Sequence, residues 1–165
     1  MDKNLNYRQP WIMQRADPYV CYKDGYYYFT GSMPKYDGIA LRRCRSLKGL
    51  AEAEETIIWK KHESGPMSEH IWAPELHYLD GKWYVYFAGG EKEDIWKIRP
   101  YVLECESQDP IAGPWVERGM MQAADDDAFS FQAFSLDMTI FESKGNRYCI
   151  WAEKVGVGRQ ISNLY

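Results

Sequence analysis

Three segments of this 165-residue chain repeat one pattern: DPYVCYKDGYYYFTGS from Asp17, APELHYLDGKWYVYFAGG from Ala73 and DMTIFESKGNRYCIWAEK from Asp137. In each, a glycine falls eight positions after the start, at Gly25, Gly81 and Gly145. Asp24-Gly25 and Asp80-Gly81 are dipeptides that close two-residue hairpins, because both turn positions take positive φ. Lys144-Gly145-Asn146 offers similar turn chemistry. The run after each turn (Tyr26 to Phe29, Trp83 to Phe87, Arg147 to Trp151) is β-prone, and too short and punctuated for a helix.

A second hairpin follows the first two. IALRRCRS leads through a charged loop to IIWKK in one unit, and YVLECES leads to DPIAGPWVERG in the next. Ser46 then corresponds to Ser107 and Trp59 to Trp115. Units of four antiparallel strands recurring every 56 to 64 residues predict an all-β fold, a β-propeller of four-stranded blades. Blade 1 is expected over about 10–65, blade 2 over about 66–122 and an incomplete blade 3 over about 130–165. A blade is covered on both faces by its neighbours, which accounts for runs such as YYYF and WYVYF that do not alternate with polar residues. Radial symmetry carries Asp17, Ala73 and Asp137 to one end of the central channel, so carboxylates from two different blades meet there.

Composition narrows the partners. An apolar share of 45% supplies ample core, and a net charge of -4 with dispersed Lys and Arg leaves no basic stripe for nucleic acid. No apolar run approaches a membrane span, and MDKNLNYRQPW lacks the apolar centre of a secretion signal, so a cytoplasmic protein is expected. Cys21, Cys44, Cys105 and Cys149 lie far apart with no CxxC or Cys/His cluster and read as reduced, buried small hydrophobes. Asp125-Asp126-Asp127 has no metal-ligand spacing and reads as a solvated loop, as do Glu52, Glu54 and Glu55.

Arg15-Ala16-Asp17-Pro18, Ile71-Trp72-Ala73-Pro74-Glu75 and Ser135-Leu136-Asp137, with the Phe141 and Gly145-x-Arg147-Tyr148 run, resemble family 43 of the glycoside hydrolases. The resemblance implies a five-bladed ring, of which about two and a half blades are expected here, acting on arabinose- or xylose-containing saccharides with inversion. It implies Asp17 as general base, Asp137 as the aspartate that orients the acid and raises its pKa, and Trp72 as a platform for the pentose ring. His70 and Glu75 lie close enough in sequence to contact sugar hydroxyls, and Glu153 also lies near the presumed channel. No cofactor is implied; the family admits a channel-bound calcium, whose ligands are not identifiable in this chain.

The family's general acid is a glutamate on a later blade in a Glu-Gly-Pro setting, and no such segment occurs here. The expected activity is that of a glycosidase, an α-L-arabinofuranosidase in preference to a β-xylosidase, with its acid absent from the chain. The alternative is an inactive half-propeller that binds carbohydrate or self-associates through uncovered blade faces.

Overall fold

The computed structural model describes residues 10–154 and 162–164. Among them, eleven strands and one 3₁₀ turn (Lys48–Ala51) form three antiparallel sheets. The first runs β1 (Ala16–Lys23), β2 (Tyr26–Ser32), β3 (Gly38–Cys44), β4 (Glu55–Lys60). Next come β5 (Glu69–Leu79), β6 (Lys82–Glu91), β7 (Asp94–Cys105) and β8 (Val116–Met120). In the third, β10 (Asn146–Lys154) lies between β9 (Ser135–Ser143) and β11 (Ser162–Leu164). Every neighbour pair is antiparallel. This is the all-β blade architecture that the repeat predicts.

The three inner hairpins close where the glycines predict. Asp24, Asp80 and Lys144 have φ of 52°, 50° and 50°, and the glycine after each has φ of 82°, 86° and 79°. Two successive positive-φ residues define the primed turn whose twist matches that of the flanking strands. The third turn places Lys at its first position, where Asp stands in the other two.

Sheets stack face to face. β1 and β2 pack on β5, and β5, β6 and β7 pack on β9. Between the first two sheets lies the main core, with Ile39, Leu41, Ile71, Leu76, Trp83, Val85, Phe87 and Leu103 all but excluded from solvent. Fully burying each such side chain contributes about 1.5–3 kcal/mol. Tyr28 meets Trp83 with ring centroids 4.9 Å apart, and Trp59 meets Phe87 at 5.3 Å. Tyr28, Phe29 and Thr30 are buried in succession, as expected for a strand covered on both faces.

Polar ties cross between the sheets at their rims. Arg147 on β10 grips Asp80 in the β5–β6 turn through two nitrogens, at 2.7 and 3.0 Å, and this pairing holds the Asp80 carboxyl below its ordinary range. Arg43 pairs with Asp109 at 2.9 Å, and the Trp59 indole donates to Glu117 at 2.7 Å. Glu55 departs from the solvated-loop expectation. It opens β4, half-buried, and receives both Arg15 and Arg42. Its partners lie 40 and 13 residues away, beyond the reach of a local reading. Asp127 ties its own loop by accepting the amides of Phe129 and Ser130 at 2.8 and 3.0 Å. All four cysteines are free; Cys105 is buried and the others are half-buried. No helix among the described residues is long and apolar enough to cross a membrane.

Candidate active site

The inner strand of each sheet bends at the same place. Asp17, Ala73 and Asp137 have φ of 50°, 46° and 53°, the left-handed region that non-glycine residues seldom enter. Strand register slips at each: between Ala16 and Tyr19 on β1, between Trp72 and Glu75 on β5, and opposite Trp151 on β9. These are β-bulges, which re-aim a side chain at the cost of local pairing. Aspartate accepts a left-handed backbone more readily than most residues. Ala73 has no such tolerance, and its presence there shows that the bend belongs to the blade rather than to the carboxylate. Gly31 permits the first bulge, since a Cβ at that position would stand 2.9 Å from the Ala16 carbonyl oxygen.

One hydroxyl fixes Asp17. Ser32 Oγ donates to Asp17 Oδ2 at 2.6 Å and accepts the Ala73 amide at 2.8 Å. The Ala73 N–H can only donate, so the Ser32 proton is left for the carboxylate, which must accept it. Ser32 is 2% exposed, so its hydroxyl is shielded from water. The end of β2 thus links the bulge of the first sheet to the equivalent bulge of the second.

The carboxylates of different sheets sense each other. Crowding by surrounding protein, then the charges of Asp17 and of Glu75, push the Asp137 carboxyl above its ordinary value of 3.8. Asp137 keeps more than a third of its surface in contact with solvent, so a proton donor or a water can still reach it. Asp17, on the first sheet, is thus near enough for its charge to act on Asp137, on the third.

Glu75 carries a network that the sequence does not announce. Its Oε2 lies 3.0 Å from His77 Nε2, and His77 Nδ1 lies 3.4 Å from the Tyr19 hydroxyl. Burial, then the charge of Glu75, holds the Tyr19 hydroxyl well above its usual range, so it stays a donor. One imidazole tautomer satisfies the chain: Tyr19 O–H donates to Nδ1, and Nε2–H donates to Glu75. His77 is buried between the first two sheets and orients Glu75.

The aromatic rim of the site is layered. His70, at φ 53°, stacks on Trp72 with centroids 4.5 Å apart and planes 14° apart, so one face of the indole is already covered. Tyr36 meets Trp72 edge-on at 5.8 Å, and Trp96 lies 5.7 Å from His70. The Trp72 indole N–H is buried without an acceptor.

Glu153 does not join the site. It is 2% exposed and accepts the amides of Phe131 and Ala133 and the indole of Trp151, each at 2.9 Å. Burial alone raises its pKa, but these donors outweigh that and hold it below the usual range. One surface cleft, about 650 Å³, is lined by Trp11, Met13, Arg42 and Glu52 and includes neither Asp17 nor Asp137. No group of three or more His, Cys, Asp or Glu among the described residues has the arrangement to hold a metal ion.

Sequence reasoning missed the Ser32 bridge, although a signal was present. In strand register Ser32 faces Ala16, whereas the same seat in the other sheets holds Ala88 and Ala152. A hydroxyl in one copy, against alanine in two, marks where the first aspartate is held.

Comparison with known proteins agrees with this geometry. The family model for glycosyl hydrolases family 43 matches residues 7–165. An extracellular exo-α-(1→5)-L-arabinofuranosidase of Streptomyces avermitilis is 49% identical over 152 residues, covering 92% of this chain and 30% of that protein. One of the same description from Streptomyces chartreusis is also 49% identical, covering 89% of this chain and 43% of that protein. The crystal structure of an α-L-arabinofuranosidase from Lactobacillus brevis superposes with a TM-score of 0.81 at 43% identity, covering 94% of this chain and 49% of that chain. This chain thus spans 30–49% of the length of these three proteins. The expected cytoplasmic placement is corrected here, because both Streptomyces relatives are named extracellular. That expectation rested on the apolar content of the first residues, which carries no weight against the relatives. Bulged aspartates on the first and third inner strands, the Trp-Ala-Pro segment on the second and the match along almost the whole sequence have one conclusion: the chain belongs to glycosyl hydrolases family 43.

Proposed function

We propose that this chain carries the base side of an inverting α-L-arabinofuranosidase site that removes terminal arabinofuranosyl units from pentose-containing saccharides, α-(1→5)-linked chains among them. The observation that carries the reading is the pair of repeat-equivalent aspartates, one fixed by Ser32 and one pushed toward protonation by its surroundings and by the charges of Asp17 and Glu75. The 43–49% identity to enzymes named for that activity supports the choice of arabinofuranoside over xyloside. The same two Streptomyces relatives support a secreted protein.

In this reading Asp17 is the general base. It takes a proton from a water lying between its carboxylate and the anomeric carbon, and roughly 6.5–9.5 Å must separate base and acid to leave room for that water. The acid comes from outside the described residues. Asp137 stands beside it, where its charge favours the protonated donor and its oxygens orient it. Trp72 offers the sugar the indole face that His70 leaves open. His70 and Glu75 contact ring hydroxyls.

The test uses the intact protein with 4-nitrophenyl α-L-arabinofuranoside and 4-nitrophenyl β-D-xylopyranoside. Faster release from the arabinofuranoside, with β-arabinofuranose as the first-formed anomer by proton NMR, is the expected result. Release of neither aglycone, or a retained configuration, overturns the reading.

Ser32 is a positioning residue in this scheme. Ser32→Ala frees the Asp17 carboxylate and strands the buried Ala73 amide, a loss of about 1–3 kcal/mol in stability. The expected kcat falls about 10-fold with KM nearly unchanged. Added to Asp17→Asn, the substitution brings no further drop in kcat, because its whole catalytic effect passes through that carboxylate. Kinetics of the two single variants and the double variant check this, and additive losses in kcat contradict it.

A further inference from the structure

We infer that Tyr36 is a specificity residue of the same site, a wall whose phenol bonds a hydroxyl of the sugar lying on Trp72; this rests on the function proposed above. Tyr36 belongs to the loop that joins β2 to β3, a few residues beyond the Ser32 that holds Asp17.

The first sheet grips β5 on both sides of Trp72. The Ile71 amide donates to the Tyr36 carbonyl at 3.2 Å, and the Ala73 amide donates to Ser32 Oγ at 2.8 Å. Residues 32–36 therefore seat the indole platform and, through Ser32, the Asp17 carboxylate as well. Tyr36 also closes its own turn, donating its amide to the Met33 carbonyl at 2.9 Å. Its φ is 51°, a left-handed backbone that a bulky side chain keeps only where the surrounding structure imposes it. The bonds on either side of its Cα impose it here.

The bend separates Tyr36 from its neighbours in sequence. Lys35 and Asp37 line a cleft with Ile57 and Lys60, whereas the Tyr36 ring meets Trp72 at 5.8 Å with the planes 83° apart, upright to the indole. It makes no ring contact with His70, so it does not stand on the indole face that His70 covers. Trp72 is thus a floor and Tyr36 a wall beside it, and a sugar on the open face of the floor brings its hydroxyl-bearing edge to the wall. Tyr36 is 39% exposed, and among the described residues its hydroxyl takes no hydrogen bond. A phenylalanine would meet Trp72 equally well, so the phenol oxygen adds nothing to the packing. It leaves one donor and one acceptor for a ligand held at that spot.

The experiment compares Tyr36→Phe with the native intact protein on 4-nitrophenyl α-L-arabinofuranoside and on its 2-deoxy, 3-deoxy and 5-deoxy analogues. For each substrate the native kcat/KM is divided by that of the variant, which removes the intrinsic reactivity of the analogue. On the parent glycoside the quotient is expected to be about 5, the loss of one hydrogen bond to the bound sugar. On one deoxy analogue it is expected to fall below 2, because the hydroxyl that Tyr36 bonds is already gone; on the other two it stays near the parent value. A quotient below 2 on the parent overturns the inference. So does the same quotient on all four substrates, the result for a ring that only steadies Trp72 or for a variant that is partly unfolded. Inactivity of the native protein on the parent glycoside is the different failure, that of the proposed function.

Discussion

Replacing Asp17 with Asn lowers kcat on aryl arabinofuranosides by about 10³-fold in the intact protein, within the 10²–10⁴-fold that a positioned proton acceptor contributes. The substitution isolates the chemistry because the fold should not notice it. Asparagine tolerates the left-handed backbone that this position requires, φ 50°, and its side-chain carbonyl still accepts the Ser32 hydroxyl. The unfolding midpoint should therefore stay within about 2 °C of the native value. Stopped assays with a nitrophenyl substrate and a thermal melt measure both quantities. A kcat within ten-fold of native removes Asp17 from the role of base.

The second large effect is at Asp137, where activity and stability move in opposite directions. Asp137→Asn lowers kcat/KM at pH 7 by about 10²-fold, because the neighbouring acid loses the negative charge that keeps it protonated. The acid's pKa drops, so the alkaline limb of the kcat/KM profile moves down by about one pH unit. The stability change follows from the raised pKa of Asp137 itself, caused by crowding and by Asp17 and Glu75. A carboxyl with a folded pKa above its ordinary 3.8 binds its proton more tightly in the native state. Its ionised form thus destabilises the fold at pH 7, and this penalty vanishes below about pH 4. Removing the charge should raise the midpoint at pH 7 by on the order of 1 °C and leave it unaltered at pH 3.5. A limb that stays in place, or a midpoint that falls at neutral pH, contradicts the assignment.

Whether a feature was legible in the sequence depends on whether it is local. The Asp24-Gly25 and Asp80-Gly81 turns are local chemistry, and they set the phase from which the equivalence of Asp17 and Asp137 follows. The blades were legible for the same reason, since an unbroken aromatic run needs a strand covered on both faces. The left-handed bends were not legible: nothing in Trp72-Ala73-Pro74 announces φ 46° at an alanine, and only docking of the neighbouring blade offsets the strain of the bend. His77 takes its role from Tyr19, 58 residues away, and so has no local signal. Glu153 failed the other way, since proximity in sequence to the channel said nothing of the two amides that enclose it.

The bend at Ala73 shows how tandem modules share labour. Ala73 has no functional group to present, yet its amide, turned outward by the same deformation that displays Asp17 and Asp137, anchors the serine that steadies the reactive residue next door. A copy without chemistry of its own thus becomes the buttress of the copy that has it. Altering the unarmed module's backbone, by a residue that straightens position 73, would disturb a reaction to which its side chain contributes nothing.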